Sequence, residues 1–252
     1  MLEKNKIYNM DCIKGMKLLE DKSIDCIICD LPYGTTWAKW DKIIDFNELW
    51  NQYNRVIKDN GAIVLFSSQP FTTKLIESNI KNYKYTWYWV KNIKGNYLNA
   101  KRQPLRQLEE INVFNKHSYY PQGLKEYNKI GRSGSASRIT LQNYANTWFQ
   151  ENTGYPSNVL YYSLDKEKYH PTQKPVALLE YLIKTYSKEE DIILDNCIGS
   201  GSTAVACINT NRNFIGFETS EEYCNIANNR IKGVKWKFYR QIIKGEDLWM
   251  NL

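Results

Sequence analysis

The sequence has few of the features that mark membrane, secreted and metal-binding proteins. Its apolar runs, such as Ile24 to Cys29, are much shorter than the ~18 residues that a membrane-spanning helix needs. The first residues, Met1 to Lys6, are charged and no apolar core follows them, so we expect no secretory signal. Only two histidines are present, His117 and His170. We therefore expect a cytoplasmic protein with no membrane association and no metal site.

The six cysteines lack a pattern that would indicate disulfides or zinc, because most of them lie inside apolar runs. Cys26 and Cys29 have the CxxC spacing. In a strand, however, side chains three positions apart face opposite sides of the sheet. We expect buried, reduced thiols, as is usual for a cytosolic protein.

The net charge of +7 comes from one part of the chain. Residues 91–138 contain ten Lys and Arg and three acids, an excess of seven, so the rest of the chain is neutral. A neutral body with one basic segment is typical of a protein that binds a polyanion. A solvated surface loop is the alternative explanation.

Short apolar runs alternate with amphipathic stretches along most of the chain, which predicts one α/β domain with an insertion. Asp45 is a plausible N-cap, and we expect its helix to end at Asn60-Gly61. Predicted strands cover 7–12, 24–29, 62–66, 83–90, 108–114, 191–197 and 213–218, with the fifth pairing antiparallel to the fourth. Predicted helices cover 13–20, 45–58, 70–81, 176–186, 203–209 and 220–231.

The first candidate site is the Asp-Leu-Pro-Tyr sequence from Asp30 to Tyr33, which follows the apolar run Ile24 to Cys29. Ligands of open α/β sheets bind beyond the carboxyl ends of strands. Pro32 favours an extended Leu31, so the Asp30 carboxylate and the Leu31 carbonyl could point to one place beside the Tyr33 ring. That arrangement suits a planar ring that bears an amine. A strand cap followed by a turn is the alternative.

The second candidate site is the turn from Asp195 to Thr203, which joins a predicted strand to a helix. No Lys precedes Ser202, as a phosphate-binding P-loop would require, and Ala204 replaces the third glycine of a dinucleotide site. A nucleoside ligand without phosphates remains. Asp195 would face its cationic or amino group, and Glu218 would bind ribose hydroxyls. S-adenosylmethionine fits that description, and a turn without a ligand is the alternative.

Residues 118–168 are rich in Tyr, Asn, Gly and Ser, and basic residues alternate with aromatic ones. This composition suits phosphate contacts combined with base stacking, and we interpret the segment as an insertion. Trp37 and Trp40 lie in a polar loop beside the first candidate site. Such tryptophans can form a lid or a stacking surface, but more commonly they anchor a loop.

These motifs resemble those of DNA amino-methyltransferases, which methylate the exocyclic amine of adenine or cytosine. The sequence from Asp30 to Tyr33 resembles the family's Asp-Pro-Pro-Tyr motif, and Asp195 to Gly201 resembles its cofactor motif. His170 to Pro175 resembles its HPxxKP motif, and residues 89–91 with 109–116 resemble the stretch before its recognition segment. The order of the motifs matches the permuted β class. Two departures are Leu31 in place of proline, which supplies the same carbonyl, and Cys197 in place of an aromatic or small residue.

The resemblance implies a doubly wound α/β fold with a mostly parallel, Rossmann-like methyltransferase sheet, one antiparallel strand and an inserted recognition segment. Residues 1–117 would form the catalytic half, 118–168 the target-recognition segment and 169–252 the cofactor half. The implied reaction is methyl transfer from S-adenosylmethionine to the adenine amine of flipped-out bases in double-stranded DNA, which leaves S-adenosylhomocysteine. Asp30, where a serine would favour cytosine, favours adenine by analogy.

The resemblance also implies the functional residues. The catalytic residues would be Asp30, Pro32 and Tyr33. The cofactor-binding residues would be Asp11, Asp30, Lys174, Asp195, Cys197, Gly199, Ser200, Gly201, Ser202, Thr203 and Glu218. The basic excess between Lys91 and Arg138, rather than the resemblance, gives the expected DNA-binding residues, which are Lys101, Arg102, Arg106, Lys125, Lys129, Arg132 and Arg138.

Several alternatives stay open. The substrate could be cytosine N4 or RNA, and a catalytically silent DNA-binding protein could keep the same fold. Intact residues at Asp30, Tyr33, Asp195 and Gly201 argue against silence. The resemblance also leaves two further partners open. The protein could form a homodimer, and a cognate restriction endonuclease could accompany it.

Overall fold

A computed structural model describes the backbone of residues 2–38, 41–132 and 147–244. It describes side chains for residues 2–38, 41–130 and 149–234. The chain divides into two compact units, a larger one of residues 1–120 with 158–252 and a smaller one of residues 121–157. The smaller unit lies inside the segment 118–168 that the sequence marks as an insertion.

The described residues form ten strands and six α-helices. The strands are β1 Lys6–Asn9, β2 Ile24–Asp30, β3 Ile57–Ser67, β4 Tyr83–Gly95, β5 Arg106–Phe114, β6 Lys125–Arg132, β7 Thr147–Thr153, β8 Val159–Tyr161, β9 Ile192–Asp195 and β10 Asn213–Glu218. The helices are α1 Cys12–Met16, α2 Phe46–Val56, α3 Phe71–Ser78, α4 Val176–Tyr186, α5 Ser202–Asn209 and α6 Glu221–Lys244. None of these helices is long and apolar enough to cross a membrane.

Eight strands of the larger unit form one sheet in the order β1-β10-β9-β2-β3-β5-β4-β8. Every strand runs in the same direction except β5, which is antiparallel to both of its neighbours. The expected mostly parallel sheet with one antiparallel strand is therefore confirmed. In the smaller unit, β6 and β7 pair as an antiparallel hairpin.

The centre of the sheet places the two candidate turns next to each other. Strands β2 and β9 are adjacent and parallel, with Ile27 opposite Leu194. After β2 the chain continues to β3 on one side, and after β9 it continues to β10 on the other. The connections thus diverge at this pair, and such a switch point opens a crevice at the carboxyl ends of the strands. Asp30 and Asp195 are the last residues of these two strands.

Alternating side chains of the sheet build a separate hydrophobic core on each face, as the doubly wound fold requires. In β2, Cys26 and Ile28 belong to one core, and Ile27 and Cys29 belong to the other. The opposite facing of the two CxxC cysteines is confirmed. None of the six cysteines, all of which the structure describes, forms a disulfide bond.

The expected end of the helix after Asp45 is wrong. The Asp45 side chain does accept a hydrogen bond from the Glu48 amide, but the helix ends at Val56 and β3 begins at once. Gly61 lies inside that strand, where an added Cβ would come within 2.6 Å of the Asp25 carbonyl oxygen. The glycine is needed because two strands approach closely, rather than because a left-handed turn ends a helix.

Helix α6 is also longer than expected, since it continues to Lys244 instead of ending near Ile231. Trp37 is fully exposed, so the structure does not support an anchoring role for it. Trp40 lies outside the described residues.

Candidate active site

The loop after Asp30 is held in place by one buried carboxylate. Asp41 accepts hydrogen bonds from the amides of Gly34, Thr35 and Thr36, at 2.8, 2.9 and 2.7 Å. Burial would raise the pKa of Asp41, but these bonds and the Thr36 hydroxyl hold it below its ordinary value. The turn that follows β2 is therefore anchored from within its own loop.

Both oxygens of the Asp30 carboxylate have partners. The Tyr33 hydroxyl donates to Oδ1 at 2.7 Å, and the Lys174 ammonium donates to Oδ2 at 2.5 Å. The Tyr33 ring stacks on Phe71 with 5.1 Å between centroids. Burial raises the pKa of Asp30 although Lys174 opposes that shift. The turn after β2 thus presents an acid whose charge is balanced by Lys174.

A second acid, Glu109 of β5, completes this charged group. Lys174 Nζ lies 3.6 Å from Glu109 Oε2, and Lys91 Nζ lies 2.8 Å from Glu109 Oε1. Burial alone would raise the pKa of Glu109, but Lys174 and Lys91 outweigh it and lower that pKa. We name the four residues Asp30, Glu109, Lys91 and Lys174 the charge cluster. With two cations and two anions, the cluster is neutral.

The second turn begins at Asp195, which is almost fully buried. Its carboxylate accepts a hydrogen bond from the Thr203 hydroxyl at 2.6 Å and another from the Cys197 amide at 3.1 Å. Burial raises the pKa of Asp195 to about 7. Gly201 has φ +82°, and an added Cβ would lie 2.8 Å from the Ala227 Cβ. Glycine is required there both by backbone conformation and by the approach of α6.

Residues from β10 and α6 fix the same turn. Glu218 accepts hydrogen bonds from the amides of Gly199 and Ser220, at 3.0 and 2.8 Å. Arg230 donates to the Ser200 carbonyl at 2.6 Å and to the hydroxyls of Ser200 and Ser202, both at 3.2 Å. Glu218 is therefore at the predicted place. Arg230 was not anticipated from the sequence.

A cavity of about 380 Å³ lies between the two turns. This size is within the range of small-molecule sites and suits a nucleoside. Among its lining residues are Asp11, Asp30, Pro32, Lys174, Asp195, Cys197, Gly199, Ser200, Ser202, Thr203 and Glu218. Gly201 and Tyr33 are outside the lining, and each is a chain neighbour of a lining residue. The structure thus brings the predicted catalytic and cofactor residues to one crevice.

The predicted DNA-binding residues are distributed over both units. In the larger unit, Lys101, Arg102 and Arg106 are exposed around the turn between β4 and β5. In the smaller unit, Lys125 and Lys129 are exposed on β6. The backbone of Arg132 ends β6, and Arg138 lies outside the described residues. Their role in binding DNA stays a prediction.

Comparison with known proteins identifies the family. A family model described as DNA methylase, of the N6/N4 methyltransferase type, matches residues 24–229. This chain belongs to the DNA methylase family. It is a DNA methyltransferase of the type that modifies adenine N6 or cytosine N4, as the motifs predicted.

Curated relatives of this methyltransferase cover nearly all of its length. It is 31% identical to the Type II methyltransferase M.HpaI of Haemophilus parainfluenzae, over 88% of this chain and 72% of that protein. It is 29% identical to M1.MboII of Moraxella bovis, over 90% of this chain and 96% of that protein.

Solved structures agree with this assignment. The M1.HpyAVI-SAM complex has 28% identity and a TM-score of 0.61, over 89% of this chain and 98% of that one. The cytosine-N4-specific PvuII DNA methyltransferase has a TM-score of 0.64 over 95% of this chain and 93% of that one. At 16% identity, the second likeness shows the shared fold alone.

Sequence reasoning missed several residues that shape the site of this methyltransferase. Glu109 is the most important, because it contacts Lys174, which in turn contacts Asp30. Tyr53 donates a buried 2.5 Å hydrogen bond to the Asn196 side chain, next to Asp195. Glu109 lies in the stretch that resembles the family's segment before its recognition region, but that resemblance gave it no role. No local pattern marks Tyr53, whose partner Asn196 is distant in the sequence. Among the described residues, no cluster of three or more His, Cys, Asp or Glu could hold a metal ion.

Proposed function

We propose that this methyltransferase transfers a methyl group from S-adenosylmethionine to the N6 amine of adenine in double-stranded DNA. The observation that carries the proposal is the position of the Asp30 carboxylate. It lies at the end of β2, in the wall of a cavity whose other wall is the glycine turn after β9. An acceptor for an amine and a nucleoside-sized space are therefore adjacent.

The residues of the glycine turn fit S-adenosylmethionine. Buried Asp195 offers a carboxylate to a cationic ligand, Glu218 lies where it can bind ribose hydroxyls, and Gly201 permits close backbone approach. A structural neighbour of 28% identity is a complex with this cofactor. When bound, S-adenosylmethionine supplies an electrophilic methyl group, and S-adenosylhomocysteine is the product.

The catalytic turn acts on the target amine by position and charge. The lone pair of an adenine amine is delocalised into the ring, which makes the nitrogen a poor nucleophile. Asp30 and the Leu31 carbonyl accept its hydrogens and favour a pyramidal nitrogen with a localised lone pair. Such preorganised acceptors stabilise the positive charge that develops on the nitrogen. Pro32 fixes the turn, and Tyr33 offers its ring to the base.

A base inside a duplex cannot reach this crevice, so the target adenine is flipped out of the helix. The exposed cations around the β4–β5 turn and on β6 supply phosphate contacts, and the 118–168 segment reads the target sequence. We place the protein in the cytoplasm with its DNA substrate. A homodimer and a paired restriction endonuclease are further partners that fit this role.

The test is to map modified bases in DNA from cells that express the protein. We expect N6-methyladenine at one short sequence in cells with the wild-type protein and none in cells with Asp30→Asn. Methylcytosine at a short sequence would identify the N4 alternative. Unmodified DNA together with tight duplex binding would identify a silent DNA-binding protein, and label in RNA would identify an RNA methyltransferase.

A further inference from the structure

Each oxygen of Asp30 already has a donor in this structure, the Tyr33 hydroxyl at 2.7 Å from Oδ1 and the Lys174 ammonium at 2.5 Å from Oδ2. The Lys174 side chain is only 7% exposed and that of Asp30 is 23% exposed, so the ion pair is partly shielded from water. An amine that enters the crevice competes with this ammonium for the same oxygen. A second place for the Lys174 ammonium removes this competition.

Glu109 provides such a place. Its Oε2 oxygen is buried and has no hydrogen-bond donor among the described residues. The Lys174 ammonium lies 3.6 Å from that oxygen, which is too far for a hydrogen bond but close enough for attraction. A shift of about 0.7 Å would give the 2.9 Å separation of an ordinary N–H···O bond. The other oxygen, Oε1, is fixed by Lys91 at 2.8 Å.

We propose that Glu109 is a positioning residue that takes Lys174 from Asp30 when the target amine enters, and so frees Oδ2 to accept an amine hydrogen. The inference rests on the proposed function. The movement keeps the ammonium within contact of a carboxylate throughout, and the charge cluster stays neutral. It therefore avoids the cost of leaving the buried Lys174 ammonium unpaired, while Asp30 keeps the Tyr33 hydroxyl and gains the amine hydrogen as donors.

The surroundings of Lys174 support this role. Burial would lower the pKa of Lys174, but Asp30 and then Glu109 raise it, so the side chain stays an ammonium on either partner. Lys91 contacts the other oxygen of Glu109, Oε1, so Oε2 remains for Lys174. A purely structural ion-pair network would affect stability and leave turnover unchanged, so the two roles can be separated by experiment.

The test compares Glu109→Gln with a matched control, Glu110→Gln. Glu110 is the next residue of β5, and it accepts a hydrogen bond from Thr72 at 2.7 Å instead of joining the charge cluster. In Glu109→Gln the receiving carboxylate is absent and Lys174 remains on Asp30. We expect kcat for duplex methylation to fall roughly tenfold to hundredfold, with KM for DNA and cofactor Kd within about threefold. Glu110→Gln should keep kcat.

A double variant tests whether Glu109 acts through Lys174. In a Lys174→Met background, adding Glu109→Gln should not lower kcat further, because no ammonium remains to be moved. Effects that multiply would overturn the inference, as would a folded Glu109→Gln enzyme with kcat within twofold of wild type. Melting curves confirm folding. If Glu109→Gln does not fold, Glu109→Asp decides, since its shorter carboxylate should lower kcat severalfold with unchanged cofactor Kd.

The outcome also separates this inference from the function on which it rests. A wild-type protein that methylates no DNA overturns both. An active wild-type enzyme together with an unaffected Glu109→Gln variant overturns the inference alone.

Discussion

Replacing Asp30 by Asn changes the centre of the charge cluster while keeping its shape. Asn offers one acceptor oxygen and one NH2 group in place of two carboxylate oxygens. In the wild-type protein, the Tyr33 hydroxyl and the Lys174 ammonium donate to Asp30 at 2.7 and 2.5 Å. The NH2 group of Asn must therefore face one of these two donors. An amide hydrogen facing the Lys174 ammonium is repulsive, so we expect the Asn oxygen to remain on Lys174.

The cost to stability follows from the partners that remain. Breaking a buried ion pair by removing one member typically costs about 3–5 kcal/mol. Here the Asn oxygen still accepts from Lys174, and Glu109 at 3.6 Å keeps a carboxylate beside that ammonium, so part of the cost is recovered. We therefore expect a loss of roughly 1–3 kcal/mol, which for a domain of this size lowers Tm by about 2–4 °C per kcal/mol. The Asp30→Asn protein should remain folded.

The cost to catalysis is larger. Asn withdraws the negative charge that would favour a developing ammonium on the substrate. Removal of one preorganised electrostatic contact typically lowers the rate by about 10²–10³. Single-turnover methylation of a duplex, at saturating cofactor and well below Tm, measures this effect directly. Tyr33→Phe keeps the ring but removes one hydrogen bond to Asp30, and it should lower the rate less.

A folded Asp30→Asn enzyme that binds cofactor and methylates within a few-fold of the wild-type rate would refute this reasoning. Asp30 would then be a structural cap at the end of β2, and the catalytic acceptor would lie elsewhere.

Three further predictions concern the ligands. Gly201→Val should abolish cofactor binding measured by calorimetry, because φ is +82° there and the added Cβ would meet Ala227. Gly199→Ala is strained at φ +51° but meets nothing within 4 Å, so it should bind the cofactor more tightly than Gly201→Val. Cofactor affinity should rise with pH up to about 7 and then level off. The reason is that Asp195, with its pKa raised to about 7, is mostly protonated at lower pH, whereas a cationic ligand binds the carboxylate form more tightly. Asp195→Asn should flatten this pH dependence. Replacing the exposed basic residues that we predict to bind DNA with neutral ones should weaken duplex binding and leave cofactor affinity unchanged. The slope of log binding constant against log salt concentration should become shallower by about 0.9 for each phosphate contact that is lost. The set to neutralise is Lys101, Arg102, Arg106, Lys125 and Lys129, and the control pair is Lys14 and Lys17. An unaltered slope would place the DNA footprint elsewhere.

Local patterns predicted much of this molecule. Apolar runs located seven of the ten described strands, and the turn chemistry at Asp30 and at Gly201 located both walls of the crevice. Those features depend on neighbours in sequence, such as a proline, a glycine or an acid at a strand end. The motif order then implied which strand ends would meet. Strands β6, β7 and β8 lie in the 118–168 segment, whose composition did not predict strands.

Contacts between distant residues were not predictable in the same way. The bond between Lys174 and Asp30 joins residues 144 positions apart, and only the fold brings them together. Gly61 was interpreted as a helix stop because glycine favours both left-handed turns and close backbone contacts, and only the pairing of β2 with β3 distinguishes the two.

The most direct test of the central claim is to identify the labelled nucleoside. Purified protein is incubated with duplex DNA and S-adenosylmethionine carrying a radioactive methyl group, and the DNA is then digested and separated by chromatography. We expect label in N6-methyldeoxyadenosine with the wild-type protein and about 10²–10³-fold less with Asp30→Asn in the same time. Label in N4-methyldeoxycytidine, or no label in DNA at all, would contradict it.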